Sequence, residues 1–203
     1  MTRLAVTGAS GKTGWRVVQE ALARGQQVRA LLRPALRQAL QGCDALVIAT
    51  GARPSVDLLG PLKVDALAIR SQIDACKAVG VQRVVLVSSL CSGRWLHPLN
   101  LFWLILVWKR LGERWLEESG LRWTVVRPGG LRESEEGVER EGVLYSGPDQ
   151  QESQSIPRRL VARVCLEALE TPAAENRIIE ITSRPDQPRQ SLEQWLTAHP
   201  RAA

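Results

Sequence analysis

Six short apolar runs alternate along the chain with longer amphipathic stretches. The runs are Arg3–Thr7, Gln27–Leu32, Ala45–Thr50, Arg83–Ser88, Trp123–Arg127 and Arg177–Thr182, mostly built from Val, Leu and Ile. Runs this short and this uniformly apolar predict strands covered on both faces. Between them, apolar residues recur at helical spacing over Lys12–Arg24, Leu62–Val79, Phe102–Ser119 and Arg158–Leu169, with a last short helix over Ser191–Ala198. Gly25, Gly80 and Gly120 follow three of these helices, where a left-handed C-terminal cap favours glycine. Strands alternating with helices predict an α/β fold: a doubly wound, Rossmann-like parallel sheet. Only about a dozen residues join the second strand to the third, near the minimum for a right-handed crossover. They hold one or two helical turns, Ala35–Gln41. The predicted strand order is 2-1-3-4-5, with the sixth strand unplaced. Residues 1–203 read as one domain, with small substrate-side elements at about 128–157 and 183–203. The charged run Arg132–Glu141 has no clear period and predicts a solvated loop over the site.

The first strand leads into Thr7-Gly8-Ala9-Ser10-Gly11-Lys12-Thr13-Gly14 and then directly into a helix. Strand, glycine turn and helix in this order form a dinucleotide-binding signature. Gly8 permits the sharp turn, Gly11 lets a pyrophosphate approach the main chain, and Gly14 lets the helix pack closely on the sheet. The helix start offers unpaired N–H groups and a partial positive charge to phosphate.

Composition narrows the classes. The chain has 203 residues, 44% of them hydrophobic, enough for a full α/β core. Four cysteines, at 43, 76, 91 and 165, have no metal-site or CxxC spacing, and predict reduced thiols. No signal sequence precedes the first strand, so a cytoplasmic location is expected. The formal charge of +6 is carried without any basic run interleaved with aromatics, so a nucleic-acid partner is not expected. Leu101–Trp108 is apolar but far shorter than the roughly 20 residues that span a bilayer. It reads as a buried helix start. The alternative is a homo-oligomer or membrane-surface contact through Trp95–Trp108, where three tryptophans cluster.

With these motifs in view, the chain resembles the atypical short-chain dehydrogenase/reductase family. Within it, the likeness is to the NAD(P)H-binding group that includes NmrA-like proteins and small flavin or biliverdin reductases. The resemblance runs from about Leu4 to Ile181. It rests on TGASGKTG at 7–14, KVD at 63–65, GVQRVVLVSSL at 80–90, WKRLGERWLEESGLRWTVVRPGGL at 108–131 and IPRRLVARV at 156–164. The resemblance implies that Gly8, Ser10, Gly11, Lys12, Thr13 and Gly14 hold the cofactor phosphates. It implies that Thr50 and Gly51 line the adenosine side, and that Ser88 and Ser89 flank the nicotinamide. It further implies that Lys109 reaches the nicotinamide ribose, with Ser89 and Lys109 as the candidate catalytic pair. Pro128, Gly129, Gly130 and Leu131 would form the loop near the carboxamide.

Charge bears on the cofactor. An NAD site usually ends its second strand with an acid that bonds the ribose 2′-hydroxyl. Here that stretch reads Ala30-Leu31-Leu32-Arg33. Arg33 and Lys12 suit a 2′-phosphate instead, which favours NADP(H) over NAD(H). The family's usual acid is a tyrosine four residues before the lysine, but Ile105 stands there. Ser88, Ser89, Cys91, His97 and Tyr145 are the substitute donors to consider.

Two readings of function follow. One is an oxidoreductase that passes hydride from NADPH to a planar, apolar acceptor of flavin, quinone or tetrapyrrole type, which can take its proton from water. The other is a non-catalytic NADP(H)-binding redox sensor that signals to a protein partner, as the NmrA-like resemblance implies. Epimerase or dehydratase chemistry ranks below both, since it normally uses the missing tyrosine.

Overall fold

A computed structural model describes residues 2–31, 36–52, 59–94 and 104–200. The strands are β1 (Arg3–Thr7), β2 (Gln27–Leu31), β3 (Ala45–Ile48), β4 (Arg83–Val87), β5 (Arg122–Pro128), β6 (Gly130–Arg132), β7 (Gly142–Ser146), β8 (Ser155–Pro157) and β9 (Arg177–Arg184). The helices are α1 (Lys12–Ala23), α2 (Leu36–Leu40), α3 (Ala68–Val79), α4 (Ile105–Glu117), α5 (Arg158–Glu170) and α6 (Leu192–Ala198).

Seven strands form one sheet in the order β2-β1-β3-β4-β5-β9-β7. The first five stand in the expected order, all parallel. The unplaced strand, β9, joins β5 in parallel and carries antiparallel β7 on its far side. Alternation along each strand divides the core. Leu4 and Val6 of β1 pack with α1 and α5, whereas Ala5 packs on the other face with Leu40 of α2 and Ile69 and Ile73 of α3. The same two-residue period sends Val47 and Leu46 of β3 to opposite faces. This is the expected doubly wound α/β architecture.

Three expectations need correction. β7 was missed because its apolar run is short and Gly142 begins it. The run 132–141 is only partly solvated: Val138 and Glu141 are buried, and 130–132 pairs with β8 as a small second sheet. The helix expected over 62–79 is not uniform, since Leu62–Leu67 winds as a π-helix before α3. There the helix meets α4 at very short range. A Cβ on Gly112 would strike the Asp65 carbonyl oxygen and lie 2.7 Å from Ile69. π-helical turns of this kind recur at functional sites.

All four cysteines are free and buried. Among the described residues, no helix is long and apolar enough to cross a membrane.

Candidate cofactor site

β1, β3 and the turns after them open a cleft of about 830 Å³ at the carboxyl edge of the sheet. Its walls include Thr7, Gly8, Gly11, Leu31, Thr50 and Gln72. Gly8 turns with φ +71°, and a Cβ there would lie 2.5 Å from the Ala49 carbonyl oxygen. Gly14 has no room either, because its Cβ would strike the Gly8 carbonyl oxygen. The Gly11 N–H donates to that same oxygen at 2.8 Å, which fixes the turn. Helix α1 then begins at Gly11 with no side-chain cap and no acid in its first turn. Its first N–H groups therefore have no side-chain cap, a setting that favours an anion.

Thr50 supplies a further sign of fit. Its Oγ1 is buried and has no hydrogen-bond partner among the described residues. An unpaired buried hydroxyl costs about 1–3 kcal/mol, so one facing a cleft suits a polar ligand. Thr7 and Gln72 satisfy each other instead: the Thr7 hydroxyl donates to Gln72 Oε1 at 2.6 Å.

Lys109 stands at the far rim. Its ammonium lies 3.9 Å from where a Gly51 Cβ would sit, and donates to Asp65 Oδ1 at 2.8 Å. Asp65 is only 1% exposed, and its other oxygen accepts the Ala52 N–H at 3.2 Å. The close crossing at Gly112 is what brings Lys109 of α4 within reach of Asp65. Asp65 ends the KVD motif at 63–65, but no role was expected for it from sequence. The available signal was a carboxylate inside the apolar helical run Leu62–Ile69.

The end of the sheet expected to face the nicotinamide is arranged differently from the end expected to face the adenosine. Ser88 does not present its hydroxyl to the cleft; it donates to Glu113 at 2.5 Å. Glu113 also accepts from Ser92 at 2.8 Å and from Arg127 Nη2 at 2.7 Å. Arg127 reaches on to Asp149 and Glu180, and Glu180 accepts the backbone N–H groups of Asp149, Gln150 and Gln151. Burial pushes the Glu113 carboxyl up, but Arg127 and the two serines outweigh it and hold it below the usual range. Glu113, Arg127 and Glu180 were missed as well. Their mark in the sequence is a charge inside an apolar strand, or one helical turn past Lys109.

Ser89 is half-buried just beyond β4 and makes no side-chain hydrogen bond among the described residues. Pro128 is buried at the end of β5, and Gly129 donates its N–H to Ile181 at 2.9 Å. Gly130 and Leu131 continue into β6, where Leu131 is exposed. Ser10 and Lys12 are exposed at the glycine turn, and Thr13 is buried beneath it. Among the substitute donors, Tyr145 is buried and stacks on Trp195 with ring centroids 5.7 Å apart, and burial raises its phenol above the usual range. Cys91 is buried, its thiol donating to the Glu152 carbonyl at 3.6 Å, and burial pushes its pKa up. Arg33, His97 and all of Trp95–Trp108 but its last residues lie outside the described residues.

The NAD(P)H-binding family model matches residues 34–172. The chain belongs to that NAD(P)H-binding family. This member is 35% identical to a chloroplastic protein of Arabidopsis thaliana, over 92% of this chain and 78% of that protein. It is 31% identical to sanguinarine reductase of Eschscholzia californica, over 74% of this chain and 69% of the reductase. It shares the fold of a Bacillus halodurans structure named as a candidate NAD-dependent epimerase/dehydratase. There the TM-score is 0.84 at 24% identity, covering 98% of this chain and 100% of the other. The likeness to atypical short-chain dehydrogenase/reductases is thereby borne out. The expected cytoplasmic location is corrected: several plant relatives of this family member are named chloroplastic.

Proposed function

We propose that this chain binds NADP(H) in the cleft beside the glycine turn and passes hydride from NADPH to a planar, apolar acceptor of flavin, quinone or tetrapyrrole type. The observation that carries the reading is the cleft itself. It combines a turn where Gly8 and Gly14 admit no side chain, an uncapped helix start and an orphaned Thr50 hydroxyl. The reductase name of the Eschscholzia californica relative supports the oxidoreductase class.

The bound nicotinamide supplies the hydride; this chain supplies position. The first turn of α1 holds the phosphates, with Lys12 beside them. Asp65 fixes the Lys109 ammonium beside Gly51, where it serves as a donor to ribose hydroxyls. Ser89 is the hydroxyl left available at the end of β4, since Ser88 is committed to Glu113. Neither Ile105 nor Tyr145 replaces the tyrosine as an acid: Ile105 occupies its place and Tyr145 is stacked in the core. An acceptor that takes its proton from water removes the need for one. The same lack weighs against epimerase or dehydratase chemistry.

The test is NADPH oxidation followed by loss of the reduced nicotinamide absorbance across flavins, quinones and tetrapyrroles. Turnover with at least one class, slowed in Lys109→Met, is the expected result. Binding of NADPH with no turnover across the panel overturns the enzymatic reading. It then favours the second one, a redox-sensing NADP(H)-binding protein, which the missing tyrosine supports. That second reading requires different affinities for NADP⁺ and NADPH, or a different assembly state with each.

A further inference from the structure

The charged run after β6 has no place in the function proposed so far, yet it lies across the phosphate-binding helix. Glu133 pairs with Lys12 of the glycine turn. Glu135 pairs with Arg16, one turn further along α1, at 2.5 Å. Glu139 pairs with Arg159 at the start of α5 at 3.1 Å. Three carboxylates of one short segment thus bind bases from the first turns of two neighbouring helices.

Beside them stands Arg158, the first residue of α5. Its Nη1 donates to Thr13 Oγ1 at 2.9 Å, beneath the glycine turn. Its Nε is buried and has no hydrogen-bond partner among the described residues. Glu133 feels both cations: the Lys12 hydrogen bond, then the charges of Lys12 and Arg158, hold its carboxyl below the usual range. Because Thr13 Oγ1 accepts from Arg158, the Thr13 proton is left to donate elsewhere. The Arg158 guanidinium on Thr13, the Lys12 ammonium and the uncapped start of α1 are together the kinds of group that bind phosphate.

We propose that Arg158 joins Lys12 as a phosphate-binding residue of the dinucleotide site, and that the acidic segment 133–135 is a strap that competes with the phosphates for these cations. The inference rests on the cofactor reading above. Its physical basis is exchange. A carboxylate and a phosphate oxygen are alternative acceptors for the same N–H groups, and the phosphate carries more charge. The pair Lys12–Glu133 is well over half exposed, so releasing it costs little. Ligand entry would therefore free the strap, which runs directly between β6 and β7 on the substrate side.

The test titrates wild type, Glu133→Gln and Arg158→Gln with NADPH and, separately, with inorganic pyrophosphate, at low and at high salt. Glu133→Gln is expected to bind both ligands about two- to fivefold more tightly at low salt, with the gain shrinking at high salt. Arg158→Gln is expected to bind both about tenfold or more weakly, the loss of a charge-assisted hydrogen bond, with its unfolding midpoint measured to exclude a general loss of fold. Unchanged or weaker binding in Glu133→Gln overturns the strap. Unchanged binding in Arg158→Gln overturns its phosphate role. If wild type binds pyrophosphate but no dinucleotide, the cofactor reading falls while the pyrophosphate arm still decides the exchange. If neither ligand binds any of the three proteins, both readings fall.

Discussion

The two halves of the sheet edge use polar groups in opposite ways. At the ends of β1 and β3, polar groups are left open: the first turn of α1 is uncapped, the Thr50 hydroxyl has no partner among the described residues and the Lys12–Glu133 pair is exposed. At the ends of β4, β5 and β9 the polar groups satisfy one another. Arg127 and Glu113 are both almost fully buried, and together with Glu180 they take up two serine hydroxyls and three backbone N–H groups. Desolvated charges are tolerated only when paired and hydrogen-bonded. The closed half is therefore a frame, and the open half is where we propose that a ligand binds. Lys109 and Asp65 sit at the boundary, buried enough to be rigid and near enough to Gly51 to be used.

The largest effect is expected where the frame is broken. Glu113→Ala leaves Arg127 short of its main partner and two serines without an acceptor. It should cost about 3–5 kcal/mol in denaturant unfolding, and a loss under 1 kcal/mol would mean that the network is not the frame described. Next comes the open half. Gly14→Ala forces a methyl against the Gly8 carbonyl and should cost about 1–3 kcal/mol, with dinucleotide affinity falling more sharply than stability. Equal affinity in a folded Gly14→Ala protein would separate the glycine turn from the binding site.

Lys109→Met sharpens the boundary. Among the described residues it leaves buried Asp65 with only the Ala52 N–H as partner, and should weaken dinucleotide binding by about tenfold, the worth of one charge-assisted hydrogen bond. A change in stability alone would make Lys109 part of the frame. Acid titration separates the halves more gently. Glu113 is held below its ordinary value of 4.5, so its stabilisation is present above that pH and is lost as pH falls through the lower folded value. Unfolding free energy should therefore decline at acid pH more steeply in wild type than in Glu113→Gln, measured by denaturant titration at several pH values. The smallest effect is expected from Tyr145→Phe. It should leave NADPH oxidation unchanged, and a large loss of turnover would put a core tyrosine back among the proton donors.

The sequence made the open half readable because its physics is local. A glycine turn and an uncapped helix start are encoded by neighbouring residues, so TGASGKTG could be placed on strand, turn and helix from residues 3–24 alone. The five parallel strands were readable for the same reason, through runs of Val, Leu and Ile. The closed half was not, because its partners are far apart in the chain, Ser88 with Glu113 and Arg127 with Glu180, as are Asp65 and Lys109 at the boundary. Ser88 shows the consequence. Its position after β4 pointed to the cleft, and only the packing of α4 shows that its hydroxyl is committed to Glu113. β7 escaped because an antiparallel edge strand needs its partner, β9, to be recognised. The charges inside β5 and β9, and Glu113 one helical turn past Lys109, were local hints that a buried network lay there.

The most direct test of the central claim is calorimetric titration of the purified chain with NADPH, NADP⁺, NADH and NAD⁺. Trp15, exposed and next to Gly14, provides a fluorescence signal at the same site. Saturable binding of the NADP pair in preference to the NAD pair, weakened in a folded Gly14→Ala protein, is the predicted result. No binding of any of the four to a folded wild-type chain would contradict the claim that the open half is a dinucleotide site.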